Sequence, residues 1–322
     1  MLQLKRPTIC TAIHTEQWGD GRLIREISKF WTEYDVKIVN GSTESPGFPD
    51  DIYLIRNPFQ LSPVPVPNHS RRKIICMLES ERPLLIPGCV VRYPYTGLVV
   101  SQNKFIRDRA RSMGIPNVSD LIIANGVNLE EFRPAYWFPD EFTVGAVGNF
   151  SSREFDEWKG FGRYIVPACK MANVKLRWCS YGDRAFSLPG LVGKQIPIHE
   201  MGEWYRGLNC IVSMSRSEGC SCITFEAMAT GLPVISTKVG WHGENCSDEL
   251  IWIDRPKIPT PEDDEAAIRS LAGKIMALRD DRAACRSIGE KARAFAEKWP
   301  HSRIADQWRP IFESTLHSTR GG

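Results

Sequence analysis

The chain has 322 residues, enough for two cores and hence for two domains. Its 42% hydrophobic and 25% charged residues are those of a globular protein. A net charge of +3 is too small to point to a polyanionic partner by itself.

The ten cysteines (10, 76, 89, 169, 179, 210, 220, 222, 246 and 285) are scattered, many within apolar runs. A chain this large does not need disulfides, so reduced, buried thiols and a cytoplasmic location are expected. Cys220-x-Cys222 is the one close pair, and no His or second Cys pair stands near it at a metal spacing, so zinc is not expected. The start, MLQLKRPTICTAIH, lacks the apolar core of a signal peptide, and no run reaches the length of a membrane span. No transmembrane segment is therefore expected.

In chain order, Pro7 to Ile13 reads as a strand, and His14 through Gly21 leads into an amphipathic helix with Leu23, Ile24 and Ile27 on one face. The first strand-to-helix turn thus contains Gly19 and Gly21, a weak nucleotide signal without a third glycine. His14 ends the strand, either as a cleft residue or as a capping or packing group. Strands are predicted at 35–39 and 51–55, with a Gly/Ser/Pro-rich connection at 41–49 between them. The proline-rich stretch after 56 cannot be an interior helix. Ile74 to Leu78 reads as a buried strand ending at Glu79, which is either a solvated strand end or a polar cleft residue. Residues 97–101 read as a strand and 103–113 as a helix, whose Lys104, Arg107, Arg109 and Arg111 form a solvated face or meet an acidic acceptor or headgroups. A further strand is expected at 121–124.

The second half begins with a strand at 142–149, then Arg153 and Lys159-Gly160. A strand at 174–179 precedes Ile196 to Met201, where His199 is a base contact or an exposed turn residue, and a short helix at 202–207. Then comes the most informative stretch, SMSRSEGCSCITFEAMATGLPVIST, from Ser213 to Thr237. The run Cys210-Ile211-Val212 is a strand, Glu218-Gly219 lies in a turn, and a helix starts at Ser221 or Cys222 and stops at Gly231 before a strand from Pro233. A helix start beside the carboxyl end of a parallel sheet offers N–H groups and partial positive charge to a phosphate. Glu218 and Glu226 flank that start; carboxylates repel phosphate, so hydroxyls are their natural partners. Amides for a diphosphate and carboxylates for hydroxyls suit a nucleotide sugar. Residues 238–244 read as a loop, 250–254 as a strand, and 262–278, 281–299 and 301–316 as helices.

Glu218-x7-Glu226, with Gly219 after the first Glu and Ala227-Met228-Ala229-x-Gly231-x-Pro233-Val234-Ile235 after the second, resembles the retaining glycosyltransferases of the GT-B fold, in particular family 4, the group 1 enzymes. Asn125-Gly126-Val127-Asn128 with Phe132-x-Pro134 is similar to the NGVD-x-x-x-F-x-P element that closes the family's N-terminal domain, with Asn128 in place of Asp. The resemblance implies an α/β fold of two Rossmann-like domains whose parallel sheets face a central cleft. Residues 1–138 would form a short acceptor-side domain, 139–300 a donor domain, and 301–322 a C-terminal helix that can cross back to the first, with a tail. It also implies transfer of a sugar from a nucleotide-diphosphate sugar to an acceptor hydroxyl, with retention, no cofactor and no bound metal.

By the same resemblance Arg153 and Lys159 hold the diphosphate with the amides of Ser221, Cys222 and Ile223 beside Gly219, and Gly19 and Gly21 match the family's glycine-rich loop. Glu226 would accept from the ribose, Glu218 from the donor sugar, and 196–201, with His199, would flank the base. Glu79 and His14 are the candidates for further polar roles. Where relatives carry Gly-Gly-x-x-Glu, this chain has Val239-Gly240-Trp241-His242-Gly243-Glu244, so donor-sugar contacts there are not carried over. The acceptor is open: a glycan, a lipid-linked or small molecule, or modified DNA. A glycosyltransferase acting on a modified DNA base, a nucleotide-sugar epimerase of the same fold, and a binding protein without turnover are the rival readings.

Overall fold

The computed structural model describes residues 6–13, 19–40, 51–55, 73–134, 139–148, 157–180, 196–257 and 260–320. The chain divides into two units, one comprising Met1–Asn125, Glu218–Cys220 and His301–Gly322, the other Gly126–Ser217 and Ser221–Pro300.

The first unit is built on a parallel six-stranded sheet of β1 (Thr8–Ile13), β2 (Asp35–Asn40), β3 (Ile52–Ile55), β4 (Ile74–Leu78), β5 (Leu98–Ser101) and β6 (Val118–Ile122), in the order β2-β1-β3-β4-β5-β6. Every residue of β3 and β4 is buried, as continuous apolar runs require when both sheet faces are covered. Helix α1 (Gly19–Ser28) turns Leu23, Ile24 and Ile27 inward. It starts at Gly19, so Gly19 and Gly21 lie in the first helical turn, not in the turn before it. The C-terminal helix, α9 (His301–Arg320), lies against α1: Trp31 donates its indole N–H to the Ala305 carbonyl at 3.3 Å and meets Phe312 edge-on at 4.9 Å.

The β6 strand runs three residues earlier than the apolar run at 121–124 suggests. It is an edge strand, so its polar Ser119 and Asp120 stay wet while pairing with β5, and Leu121 is exposed. Ile123 and Ala124, buried beyond it, made the run look like a strand. Helix α2 (Lys104–Ser112) begins one residue after Asn103, whose side-chain Oδ1 accepts from the Ile106 N–H at 2.8 Å as an N-cap.

The second unit has a parallel five-stranded sheet of β7 (Thr143–Gly148), β8 (Lys175–Ser180), β9 (Cys210–Ser213), β10 (Val234–Thr237) and β11 (Ile251–Ile253), ordered β11-β10-β9-β7-β8. Its core joins Val144, Ala146, Phe161, Tyr164, Val212 and Ile235 to helix α7 (Pro261–Asp280), through Leu271 and Ile275. Helices α3 (Val166–Met171), α4 (Met201–Arg206), α5 (Cys222–Ala229) and α8 (Arg282–Ala296) complete the described layers, together with α6 (Gly240–Asn245). That last helix replaces the loop expected at 238–244. Its Trp241 and His242 are buried against Phe225, and this burial, invisible in so short and polar a segment, makes it helical.

None of the ten cysteines, all of them among the described residues, is in a disulfide, and every one but Cys222 is buried. Burial pushes the Cys169 thiol up to about 12 and those of Cys179 and Cys285 to about 11, so they stay protonated packing groups at neutral pH. Among the described residues no helix is long and apolar enough to cross a membrane.

Candidate active site

In an open parallel sheet, ligands collect beyond the carboxyl ends of the strands where the strand order reverses. In the second unit that point lies between β7 and β9, which pair side by side although β8 intervenes in the chain. The connections leaving β7 and β9 carry Arg153 with Lys159, and Glu218 through Ile223, respectively.

Lys159 is half-buried on a segment tied to the start of the second connection. The Trp158 carbonyl accepts from the Arg216 N–H at 3.0 Å, and the Trp158 indole N–H donates to the Ser217 carbonyl at 3.3 Å. Arg255 donates to the carbonyls of Trp158 (2.8 Å), Met214 and Glu157, and stands 5.0 Å from the centre of the Tyr164 ring. Burial lowers its guanidinium to about 10, which leaves it charged at neutral pH and the three bonds charge-assisted. Gly160 sits at φ +70°, where a Cβ would also press on Tyr164 and Met214, so the residue after Lys159 must be glycine.

Helix α5 begins at Cys222 with Ser221 as its N-cap; the Ser221 hydroxyl accepts from the Thr224 N–H at 3.2 Å. Thr224 is thereby taken, which leaves Ser221, Cys222 and Ile223 as the positions whose amides helix geometry gives no carbonyl within the helix. These three are half-buried, whereas everything from Thr224 to Thr230 is buried. Glu226 is 9% exposed, and one of its oxygens accepts from the Tyr205 hydroxyl at 2.9 Å. Tyr205, on α4, is fully buried and packed edge-on against Phe132 and Trp204. A carboxylate held by one hydroxyl on a rigid helix is preset to accept from a diol.

Glu218, Gly219 and Cys220 group with the first unit. The Asn103 amide donates to the Glu218 carbonyl at 3.2 Å and to the Gly219 carbonyl at 2.9 Å. The Asn125 amide donates to the Cys220 carbonyl. A Cβ on Gly219 would collide with the Glu79 carbonyl and the Gln102 side chain, which gives this glycine a packing reason beside the ligand role expected of it. Glu79 thus adjoins the 218–220 segment through its backbone.

His199 is exposed on a short 3₁₀ turn, 3.8 Å from the Glu200 carboxylate. His14 and Arg153 lie outside the described residues. Sequence reasoning did not single out Tyr205, Arg255, Gln102 or Asn103, and it read Asn125 only as the start of the element that closes the first domain, not as a partner of Cys220. For Asn103 the available signal was its own type, an N-cap residue directly before a helical pattern.

Residues 141–278 match the family model "Glycosyl transferases group 1". No curated protein matches the chain. Similar solved structures include HepE of Anabaena in complex with UDP-glucose, at 15% identity over 95% of this chain and 99% of that one, TM-score 0.71. Sucrose-phosphate synthase of Thermosynechococcus elongatus is 16% identical over 97% of this chain and 100% of the other, TM-score 0.72. TarM of S. aureus is 17% identical over 81% and 54%, TM-score 0.61. The chain thus shares the GT-B fold of these structures, and its residues 141–278 match the group 1 glycosyl transferase model.

Proposed function

We propose that this protein transfers a sugar from a nucleotide-diphosphate sugar to an acceptor hydroxyl with retention of anomeric configuration. The observation that carries the reading is the family match over 141–278, which takes in Lys159, Glu218 and Glu226 and both connections that leave the sheet at its switch point. The UDP-glucose bound to HepE, on the same fold, makes UDP-sugars the first donors to test.

Lys159 and Arg153, with the amides of Ser221, Cys222 and Ile223, hold the diphosphate. Their positive charge stabilises the negative charge that grows on the departing nucleotide, so protein groups stand where other transferases use a metal. Glu226 accepts hydrogen bonds from the ribose hydroxyls and Glu218 from the donor sugar. The bond from the anomeric carbon to the diphosphate oxygen breaks as the acceptor oxygen bonds to that carbon on the same face. The acceptor's proton passes to the departing diphosphate oxygen, so no protein nucleophile is required. Ten cysteines outside any disulfide, nine of them buried, support a reducing, cytoplasmic setting for the reaction.

Incubation with UDP-, GDP- and ADP-sugars, with and without candidate acceptors, tests this through free nucleotide release. Release from one donor class, with a product of unchanged anomeric configuration by proton NMR, is expected. Inverted product would remove the retaining mechanism, and neither binding nor release with any donor would remove the transferase.

A further inference from the structure

Three consecutive carbonyls of the 218–220 segment, those of Glu218, Gly219 and Cys220, are each taken by a side-chain amide. An irregular segment has no ladder or helix to satisfy its backbone, so its carbonyls need partners of another kind. Here they come from two asparagines. Asn103 is fully buried and uses its whole amide: Oδ1 caps α2, and Nδ2 serves both Glu218 and Gly219. A flipped amide would set Nδ2 against the Ile106 N–H and Oδ1 against two carbonyls, so only one orientation is consistent.

Asn125, 3% exposed, donates to the Cys220 carbonyl through Nδ2, and its own N–H points to the Cys220 sulfur at 3.3 Å. Its Oδ1 accepts from Gln102, itself 1% exposed, which fixes the Asn125 amide in turn. The absence of a side chain at Gly219 lets the segment approach the Glu79 carbonyl. Two buried carboxamides, Asn103 and Asn125, thus bond the 218–220 segment that carries the Glu218 side chain, while Gln102 holds the second of them and the bare Gly219 lets the segment sit close.

Building on the proposed function, we infer that Asn103 and Asn125, with Gln102 behind Asn125, are positioning residues that fix Glu218 toward the donor sugar by clamping its backbone. They touch no reacting atom. The clamp sets turnover, while nucleotide affinity rests on Lys159 and α5. A small displacement of a group aimed at the transition state lowers rate far more than affinity.

Asn103→Ser tests the clamp, because Ser caps a helix about as well as Asn but cannot reach both carbonyls. Asn125→Ser is the independent second variant. Hydrogen exchange read by mass spectrometry on the peptide covering 218–220, beside α2, is measured together with UDP affinity and kcat on a UDP-sugar. Exchange at 218–220 is expected to rise with α2 unchanged, UDP affinity to hold, and kcat to fall about ten- to a hundredfold. Unchanged exchange at 218–220 in both variants would overturn the clamp, and faster exchange with undiminished kcat would overturn its positioning role. A wild-type protein that binds no nucleotide would instead remove the proposed function, and the exchange result would still decide the clamp on its own.

Discussion

The two carboxylates of the motif stand eight residues apart and are held by different physics. Glu226 belongs to a helix whose flanking residues are buried in the second unit, and its carboxylate meets a buried tyrosine. Glu218 lies on three residues of irregular backbone that group with the first unit and are held by side-chain amides. One is placed by packing, which tolerates volume-conserving change, and the other by hydrogen bonds that a single atom exchange removes. The packed site suits a binding role and the hydrogen-bonded one a role in which orientation matters more than affinity.

The sharpest way to break this contrast is Glu218→Gln. It should lower turnover on the preferred donor by roughly a hundred- to a thousandfold while nucleotide affinity changes little. Steady-state rates and calorimetric titration on one preparation check both halves. Next in size, Glu226→Gln should weaken nucleoside diphosphate binding by about 1.5–3 kcal/mol, the worth of a hydrogen bond to a charged group. Equal affinity in that variant would show that the helix carboxylate does not meet the ribose.

The packing side of the contrast has its own pH signature. His242 is buried beside Phe225, the neighbour of Glu226, and among the described residues its Nε2 has no hydrogen-bond partner. Burial lowers its pKa from 6.5 to about 3, so the fold holds it neutral. Because the folded value is depressed, its contribution is complete above pH 6.5 and is lost as pH falls toward 3. Denaturant titrations should show stability falling by ~1 kcal/mol per pH unit in that window, and His242→Phe should flatten the slope. The smallest effect is expected of Tyr205→Phe, which removes one hydroxyl from Glu226 and should cost about 1 kcal/mol of nucleotide affinity. A Tyr205→Phe loss as large as that of Glu226→Gln would mean that the tyrosine itself touches the ligand.

Continuous apolar runs such as Ile74–Leu78 and Cys210–Val212 are buried strands because nothing but a covered parallel sheet accommodates them, and they were readable from the sequence. The start of α5 was readable from Ser221 and its end from Gly231. The edge strand β6 was not, since its pairing runs through polar residues, nor was α6, which tertiary burial of Trp241 and His242 makes helical. Within the candidate site, Glu218, Gly219, Glu226 and Lys159 are the residues that a local pattern proposes. Tyr205, Arg255 and the carboxamides of 102, 103 and 125 act across long sequence separations, 115 residues for Asn103 and Glu218, and no local pattern encodes such a pairing.

Calorimetric titration of UDP, GDP and ADP into the wild-type protein and into Glu226→Gln tests the central claim, a nucleotide-sugar donor site built on α5, most directly. Saturable binding of one nucleotide by the wild type, and its marked weakening in the variant, is the predicted result. Binding of none of the three, or equal binding by both proteins, would contradict it.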